Sequence, residues 1–135
     1  MFIPRRFAFL LLCASILFGC EADPRLQAKG QIVKGGAPFT VPEEEYVRIV
    51  FHPIPADGRR AANTYVAIYD NRDGRFRVVG ADGRGLPPGR YRVSVERERK
   101  RKDLFKGAYD ADRSPFVFDI DSSSKEIVID LDKKI

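Results

Sequence analysis

Hydrophobic residues alternate with polar residues along short segments of this chain, and this pattern restricts its fold more than any other feature. In the clearest segment, Tyr91, Val93 and Val95 alternate with charged and small polar side chains. A period of two places the hydrophobic side chains on one face of a β-strand. From Leu26 onward, no stretch of ten residues shows the 3.6-residue period of an amphipathic helix. The sequence therefore predicts an all-β domain.

Clusters of Gly, Pro and Asp divide this region into seven predicted strands. Their spacing is typical of a β-sandwich, in which two sheets pack face to face. The segment Asp70–Gly74 predicts a hairpin turn, because Asp and Asn side chains bond to their own backbone and Gly accepts a positive φ. We therefore predict a seven-stranded, two-sheet sandwich. The predicted strands are Leu26–Val33, Tyr46–His52, Asn63–Tyr69, Arg75–Val79, Arg90–Glu98, Pro115–Ile120 and Lys125–Leu131.

The N-terminal segment has the pattern of a secretory signal peptide. Arg5 and Arg6 precede an apolar run, Phe7–Phe18, and a small residue follows. Twelve residues rise about 18 Å as a helix, which is less than the ~30 Å hydrocarbon core of a bilayer. A basic start, a short apolar run and a small residue before the cleavage point are typical of an export signal.

The end of this segment indicates a lipid anchor. The sequence Leu17-Phe18-Gly19-Cys20 resembles the lipobox of bacterial lipoproteins, although its Phe18 stands where a small residue is usual. The resemblance implies that Cys20 receives diacylglycerol and becomes the mature N-terminus. We predict a signal peptide over 1–19, a lipidated tether over 20–25 and a β-sandwich domain over 26–135. An ordinary signal peptide cut elsewhere, or an uncleaved anchor, is the alternative.

Removal of the predicted signal peptide changes what the composition implies. The chain has 24 Lys and Arg and 19 Asp and Glu residues, and loss of Arg5 and Arg6 lowers its net charge from +5 to +3. Cys13 is also lost and Cys20 carries lipid, so the mature 116 residues contain no disulfide. The tether Glu21–Arg25 reaches about 20 Å when extended. We expect one domain, exported and held close to the periplasmic or outer-surface side of an envelope membrane.

Three further motifs occur in an order and spacing found in one family. They are Ile49-x-Phe51-x-Pro53, Asp73-Gly74-x-Phe76 and Gly85-Leu86-Pro87-Pro88-Gly89-x-Tyr91-x-Val93. Over residues 28–131 the chain resembles bacterial lipoproteins with a transthyretin-like, or carboxypeptidase regulatory-like, β-sandwich domain. The resemblance implies two sheets and a cell-envelope location, and it supplies no catalytic residues. The chain departs from the family at an insertion, Val41–Glu45, and at a basic loop after the fifth strand.

The residue inventory disfavours enzymatic and metal chemistry. His52 is the single histidine and lies at the end of a predicted strand, with no serine or cysteine motif to accompany it. One histidine and two cysteines cannot form the usual four-ligand zinc site. Asp70–Gly74 does not have the ligand spacing of a calcium-binding hand and is better explained as a turn. We expect no catalytic residues, no metal and no cofactor, and we expect Glu43–Glu45 to form a solvated loop.

The segment Arg97–Lys102 has five basic residues among six. Such clusters bind nucleic acid, anionic lipid head groups or acidic polysaccharide. Export argues against nucleic acid, and a solvated strand end is the plain alternative. The candidate anion-binding or partner surface consists of Arg97, Arg99, Lys100, Arg101 and Lys102, with the loop Arg99–Arg113 behind it. We predict a non-enzymatic adhesion, scaffold or protein-interaction module, with binding of anionic envelope glycans or lipid head groups as the alternative.

Overall fold

A computed structural model describes residues 25–59 and 61–133. This part of the chain is all-β, as predicted, with nine strands and no helix. It accordingly contains no helix with the length and hydrophobicity needed to cross a bilayer. The predicted signal peptide and Cys20 lie outside the described residues. The strands are β1 (Lys29–Lys34), β2 (Ala37–Pro38), β3 (Tyr46–Pro53), β4 (Tyr65–Tyr69), β5 (Arg75–Val78), β6 (Gly89–Arg99), β7 (Lys102–Asp103), β8 (Val117–Ile120) and β9 (Ile127–Asp130).

Each of the seven predicted strands corresponds to an observed strand, with ends that differ by a few residues. The first strand begins at Lys29, and Leu26 instead forms an isolated bridge with Leu86. The predicted hairpin around Asp70–Gly74 is confirmed, because β4 and β5 pair as antiparallel neighbours. The short strands β2 and β7 were not predicted, since two residues are too few to show a period.

The strands form one open sheet. The order β2-β1-β5-β4-β3-β6-β7 follows hydrogen-bonded neighbours, while β8 also pairs with β6 and β9 also pairs with β1. The described pairings are antiparallel, apart from the parallel pairing of β1 with β9. The long strand β6 is central to this arrangement, because its residues 91–98 pair with β3 on one side while β8 and β7 occupy the other.

The connection between β8 and β9 requires the sheet to curl. These two strands lie at opposite ends of the series β9-β1-β5-β4-β3-β6-β8, which would span about 29 Å if the sheet were flat. The chain from Ile120 to Ile127 reaches at most about 25 Å. The O–H of Tyr109 also donates a hydrogen bond to the Leu131 carbonyl at 2.8 Å, which joins the region beside β6 to the end of β9. The sheet therefore bends around a single core.

The core is built from the inward faces of the strands. Along β6, Tyr91, Val93 and Val95 are buried, as the alternation predicts, and Ser94 is buried as well. Tyr91 packs edge-on against Tyr65, with ring centroids 6.1 Å apart. Each large apolar side chain removed from water stabilises the fold by roughly 1.5–3 kcal/mol. Other core residues include Ile32, Val47, Ile49, Phe51, Phe76, Val78, Leu86, Phe116, Ile120, Ile127, Ile129 and Leu131.

Candidate functional site

The basic segment forms the tip of a tight hairpin between β6 and β7. Arg99 pairs with Lys102, so that only Lys100 and Arg101 form the turn. Both turn residues have positive φ, 50° and 64° respectively. Two-residue hairpin turns with two positive φ angles usually contain Asn-Gly, because a Cβ atom disfavours this conformation by about 1–2 kcal/mol per residue. The turn therefore carries two basic side chains at positions where its backbone favours other residues.

The four residues of the tip, Arg99–Lys102, all have exposed side chains. None of them forms an ion pair with a residue in 25–59 or 61–133. Lys106 is also exposed, and it too has a positive φ, of 53°. Like charges this close together repel one another, and an acidic partner would relieve that repulsion. We define Arg99–Lys102 as the basic hairpin tip.

Arg97, the fifth residue of the predicted binding surface, does not belong to the basic hairpin tip. Its Nε donates a hydrogen bond to the Glu45 carboxylate, and its guanidinium carbon lies 5.6 Å from the centre of the Phe39 ring. The Arg97 side chain is 28% exposed and that of Glu45 only 5%. The sequence carried a signal for this placement, because alternation from Val95 puts residue 97 on the core-facing side of β6.

The expectation that Glu43–Glu45 form a solvated loop is wrong for its last residue. Glu43 and Glu44 are exposed, whereas Glu45 is buried. A buried carboxylate needs a charged or hydrogen-bonding partner, and Arg97 supplies it. Asn71 also donates a hydrogen bond from Nδ2 to the Glu45 carbonyl at 3.1 Å. Glu45 thus joins the start of β3 to β6 and to the β4–β5 turn.

Asp103 stabilises the base of the basic hairpin, where β7 joins the loop that follows it. Its carboxylate accepts hydrogen bonds from three backbone N–H groups, those of Arg97 at 3.1 Å, Phe105 at 2.9 Å and Gly107 at 2.9 Å. Hydrogen bonds to a charged acceptor are stronger than neutral ones. The predicted irregular loop after β6 therefore begins as an ordered hairpin with a fixed base.

Aromatic side chains connect that base to the core. The rings of Phe105 and Tyr109 lie 5.2 Å apart, and the Tyr109 ring lies 5.2 Å from that of Phe116. Phe105 also packs against Phe39 at 6.0 Å. Burial, followed by the charges of nearby carboxylates, raises the pKa of Tyr109 above its usual value. The base of the basic hairpin is thus packed against the core through aromatic contacts.

The basic hairpin tip lies far from the point where the chain leaves towards Cys20. Leu26 and Leu86 exchange backbone hydrogen bonds of 2.8 and 3.0 Å, which hold the first described residues beside the start of β6. The eleven residues of β6 separate its ends by about 33 Å. Arg99 stands at the opposite end of that strand. The N-terminal exit and the basic hairpin tip are therefore at opposite ends of the domain.

His52 has a partner that the sequence analysis missed. Its Nε2 lies 2.9 Å from the Oγ of Ser94, across the β3–β6 pairing. Neither residue lines either of two surface grooves, of about 730 and 720 Å³, in the described part of the chain. Ser94 is buried and His52 is half-buried, and their contact links two strands. Antiparallel pairing brings the two residues together from positions 42 apart, which no local motif reveals.

The aspartates of the β4–β5 turn accept hydrogen bonds from neighbouring backbone N–H groups. Asp70 accepts hydrogen bonds from the Arg72 N–H at 2.9 Å and from the Arg72 side chain at 3.1 Å, and these bonds lower the pKa of Asp70. Asp73 accepts from the Arg75 N–H at 2.9 Å. Across the described ranges, no group of three or more His, Cys, Asp or Glu side chains has an arrangement suited to a metal ion.

No protein-family model matches the chain, and no curated protein or solved structure matches it. Its function is therefore inferred from the arrangement of its own residues.

Proposed function

We propose that this protein is a lipid-anchored, non-enzymatic module of the bacterial cell envelope that contacts an acidic partner through its basic hairpin tip. Cys20 would carry the lipid, and the domain would act in adhesion, as a scaffold or as an assembly partner. One observation supports the proposal most strongly, namely that four adjacent exposed cations lie at the tip of a paired hairpin.

The fold we propose is a two-sheet sandwich of the transthyretin-like type. Curling of the sheet between β8 and β9 and a single core enclosed by the strands support it. The quoted family motifs also occupy consistent places. Phe51 and Phe76 are buried, and Pro87 precedes the start of β6 with its carbonyl bonded to the Tyr91 hydroxyl. Sandwiches of this kind bind partners through end loops and sheet edges.

The turn geometry supports a binding role for the tip. Lys100 and Arg101 hold a backbone conformation that Asn-Gly would adopt with less strain. Strained backbone positions often occur at functional sites. If these two residues only had to form a turn, an uncharged and unstrained sequence would do so equally well. The partner suited to this tip presents carboxylate, sulfate or phosphate groups, either on a protein or on an acidic envelope glycan.

The position of the tip disfavours lipid head groups of the anchoring membrane as its ligand. The tether from Cys20 reaches about 20 Å, whereas β6 holds the tip about 33 Å from the N-terminal exit. When the domain stands upright on its tether, Arg99–Lys102 would face away from that membrane, towards a protein or glycan on the far side.

Charge reversal tests the binding surface. The full-length lipoprotein with Arg99, Lys100, Arg101 and Lys102 changed to Glu should lose salt-sensitive binding to polygalacturonate. A matched variant reverses four other exposed cations, those of Lys29, Arg77, Lys125 and Lys133, and has the same net charge. It should retain binding. Equal loss in both variants, or retention in the hairpin variant, would overturn the glycan form of the proposal.

Metabolic labelling tests the anchor separately. Labelled palmitate should be incorporated into the full-length protein and be lost in Cys20→Ala. Label that persists in this variant would refute lipidation at Cys20.

A further inference from the structure

The end of the domain opposite the basic hairpin tip is fixed around the N-terminal exit. Arg25 donates a hydrogen bond from Nη1 to the Gly85 carbonyl at 3.4 Å and lies 3.7 Å from the Asp82 carboxylate. Its guanidinium carbon is also 5.6 Å from the centre of the Tyr65 ring. Gly85 has a φ of 92°, and a Cβ atom there would overlap the Leu26 carbonyl. The chain therefore leaves the domain at a defined place.

Tyr65, which Arg25 contacts, also lines a groove with a mostly apolar lining, so this groove lies beside the exit. Its volume is about 720 Å³, and prolines, alanines and Ile54 supply most of its wall, from the loop after β3 and the loop before β6. Ile54 is 38% exposed, and Ala56 and Pro88 are exposed as well. The hydroxyl of Tyr91, which also lines the groove, is already bonded to the Pro87 carbonyl. The groove thus presents an apolar surface to its surroundings.

Basic side chains accompany the apolar surface. Arg90 lines the groove, Arg59 lies in the same loop as Ala56, and Arg84 lies in the loop before β6. Each has an acidic neighbour at 3.4–3.9 Å on the solvent-exposed surface. Exposed pairs of this kind contribute little to stability, so Arg59 and Arg90 can turn towards other anions at small cost.

We propose that this end of the domain docks onto the bilayer that holds the Cys20 lipid. Ile54 and the neighbouring alanine and proline side chains would enter the head-group region, while the arginines contact anionic lipid phosphates. This inference rests on the proposed function, since the lipid at Cys20 supplies the membrane. The tether argues for this occupant, because the residues between Cys20 and the domain reach about 20 Å and end beside the groove.

A short tether also makes weak docking effective. It converts contact between the groove and the bilayer into an intramolecular event at high effective concentration. Amphipathic surfaces bind membranes through buried apolar area together with attraction to anionic lipids. Docking would orient β6 away from the bilayer and hold the basic hairpin tip at its far end.

Fluorescence quenching in proteoliposomes tests the orientation. The mature chain has Cys20 as its single cysteine, and the lipid occupies it, so an introduced cysteine takes a thiol-reactive fluorophore selectively. The full lipoprotein would carry Ile54→Cys, Ala56→Cys or Arg101→Cys, in vesicles of phosphatidylethanolamine and phosphatidylglycerol with nitroxide on the head groups. Labels at 54 and 56 should be quenched and the label at 101 should not. Quenching should weaken at high salt and in phosphatidylcholine vesicles.

Other results would contradict either the docking of the groove or the lipid anchor at Cys20. If mass spectrometry shows lipid on Cys20 and the labels at 54 and 56 are no more quenched than that at 101, the docking proposal is overturned and the anchor stands. Strong quenching at 101 alone would reverse the orientation and overturn it too. If Cys20 carries no lipid and the protein does not float with vesicles, the proposed function fails, and the docking proposal fails with it.

Discussion

The Nε of Arg97 donates a hydrogen bond to the carboxylate of Glu45 across 52 residues of sequence, and the pair closes the end of the core next to the basic hairpin tip. This contact removes Arg97 from the group of solvent-facing cations. It leaves four adjacent cations at the tip, on a support stiffened by Asp103 and the Phe105–Tyr109–Phe116 rings.

Loss of the Glu45 carboxylate should destabilise the domain. Glu45→Ala leaves the partly buried Arg97 without its partner, and we expect the free energy of unfolding to fall by roughly 2–3 kcal/mol. Urea denaturation measures this change. Glu44→Ala, at an exposed neighbour, is the control and should stay within about 0.5 kcal/mol. Equal losses of stability in the two variants would show that the pairing of Glu45 with Arg97 does not stabilise the fold.

Relieving the turn should stabilise the protein while weakening partner binding. Lys100→Asn with Arg101→Gly places the preferred residues at two positive φ angles, so the free energy of unfolding should rise by about 1–3 kcal/mol. Lys100→Gln with Arg101→Gln removes the same charges and keeps the strain. Both variants should bind acidic ligand more weakly, but only the Asn-Gly variant should be more stable. A stability no greater than that of the Gln pair would rule out strain in this turn.

Gly30 should tolerate no side chain. A Cβ atom there would overlap the Ile127 carbonyl oxygen and the Phe76 ring, which belong to the strands on either side of β1. Overpacking of this kind costs about 1–3 kcal/mol, so Gly30→Ala should lower the thermal midpoint by several degrees. Gly89→Ala is the matched control, because its nearest neighbour would be 3.7 Å away. Similar thermal midpoints for the two variants would contradict the close packing of β5 and β9 against Gly30.

Alkaline pH should destabilise the fold through two tyrosines. Burial, as the largest cause, raises the pKa of Tyr69 and of Tyr91 from 10.0 to about 12. The unfolded chain therefore releases these protons at lower pH than the folded protein does. Their contribution to stability is complete below about pH 10 and is lost as the pH rises towards 12.

Unfolding free energies measured from pH 8 to 12 check this expectation, together with phenolate absorbance at 295 nm. The double variant Tyr69→Phe, Tyr91→Phe should lose stability less steeply over the upper part of the range. The slopes are compared, because the substitutions also remove hydrogen bonds to the Phe39 and Pro87 carbonyls. An unchanged slope would show that other groups control alkaline unfolding.

Local pattern predicts seven of the nine described strands but not the contacts between them. Alternation identifies β6 and its core-facing residues Tyr91, Val93 and Val95, because one face of that strand lies against the core along most of its length, but it does not predict the burial of Ser94. The same alternation, continued past Val95, would have placed Arg97 towards the core. The partners Glu45 and Ser94 come from distant segments, and strand pairing alone brings them to Arg97 and His52.

The hairpin structure of the basic segment also could not be predicted from the local sequence pattern. A turn of Lys100 and Arg101 lacks the Asn-Gly signal by which two-residue hairpins are recognised, so the segment was predicted as a loop. The opposite placement of the N-terminal exit and the basic hairpin tip depends on the Leu26–Leu86 bridge, which joins residues 60 apart.

Photo-crosslinking in intact cells would show whether the basic hairpin tip contacts a partner. A photoreactive residue would replace Lys100 in the full-length lipoprotein, and the comparison protein would carry it at Lys29, an exposed cation on β1. We expect adducts with an envelope protein or glycan from position 100 and none from position 29. The adducts from position 100 should be abolished when Arg99, Arg101 and Lys102 are changed to Glu. Adducts of equal yield at both positions, or none at position 100, would contradict this proposed contact.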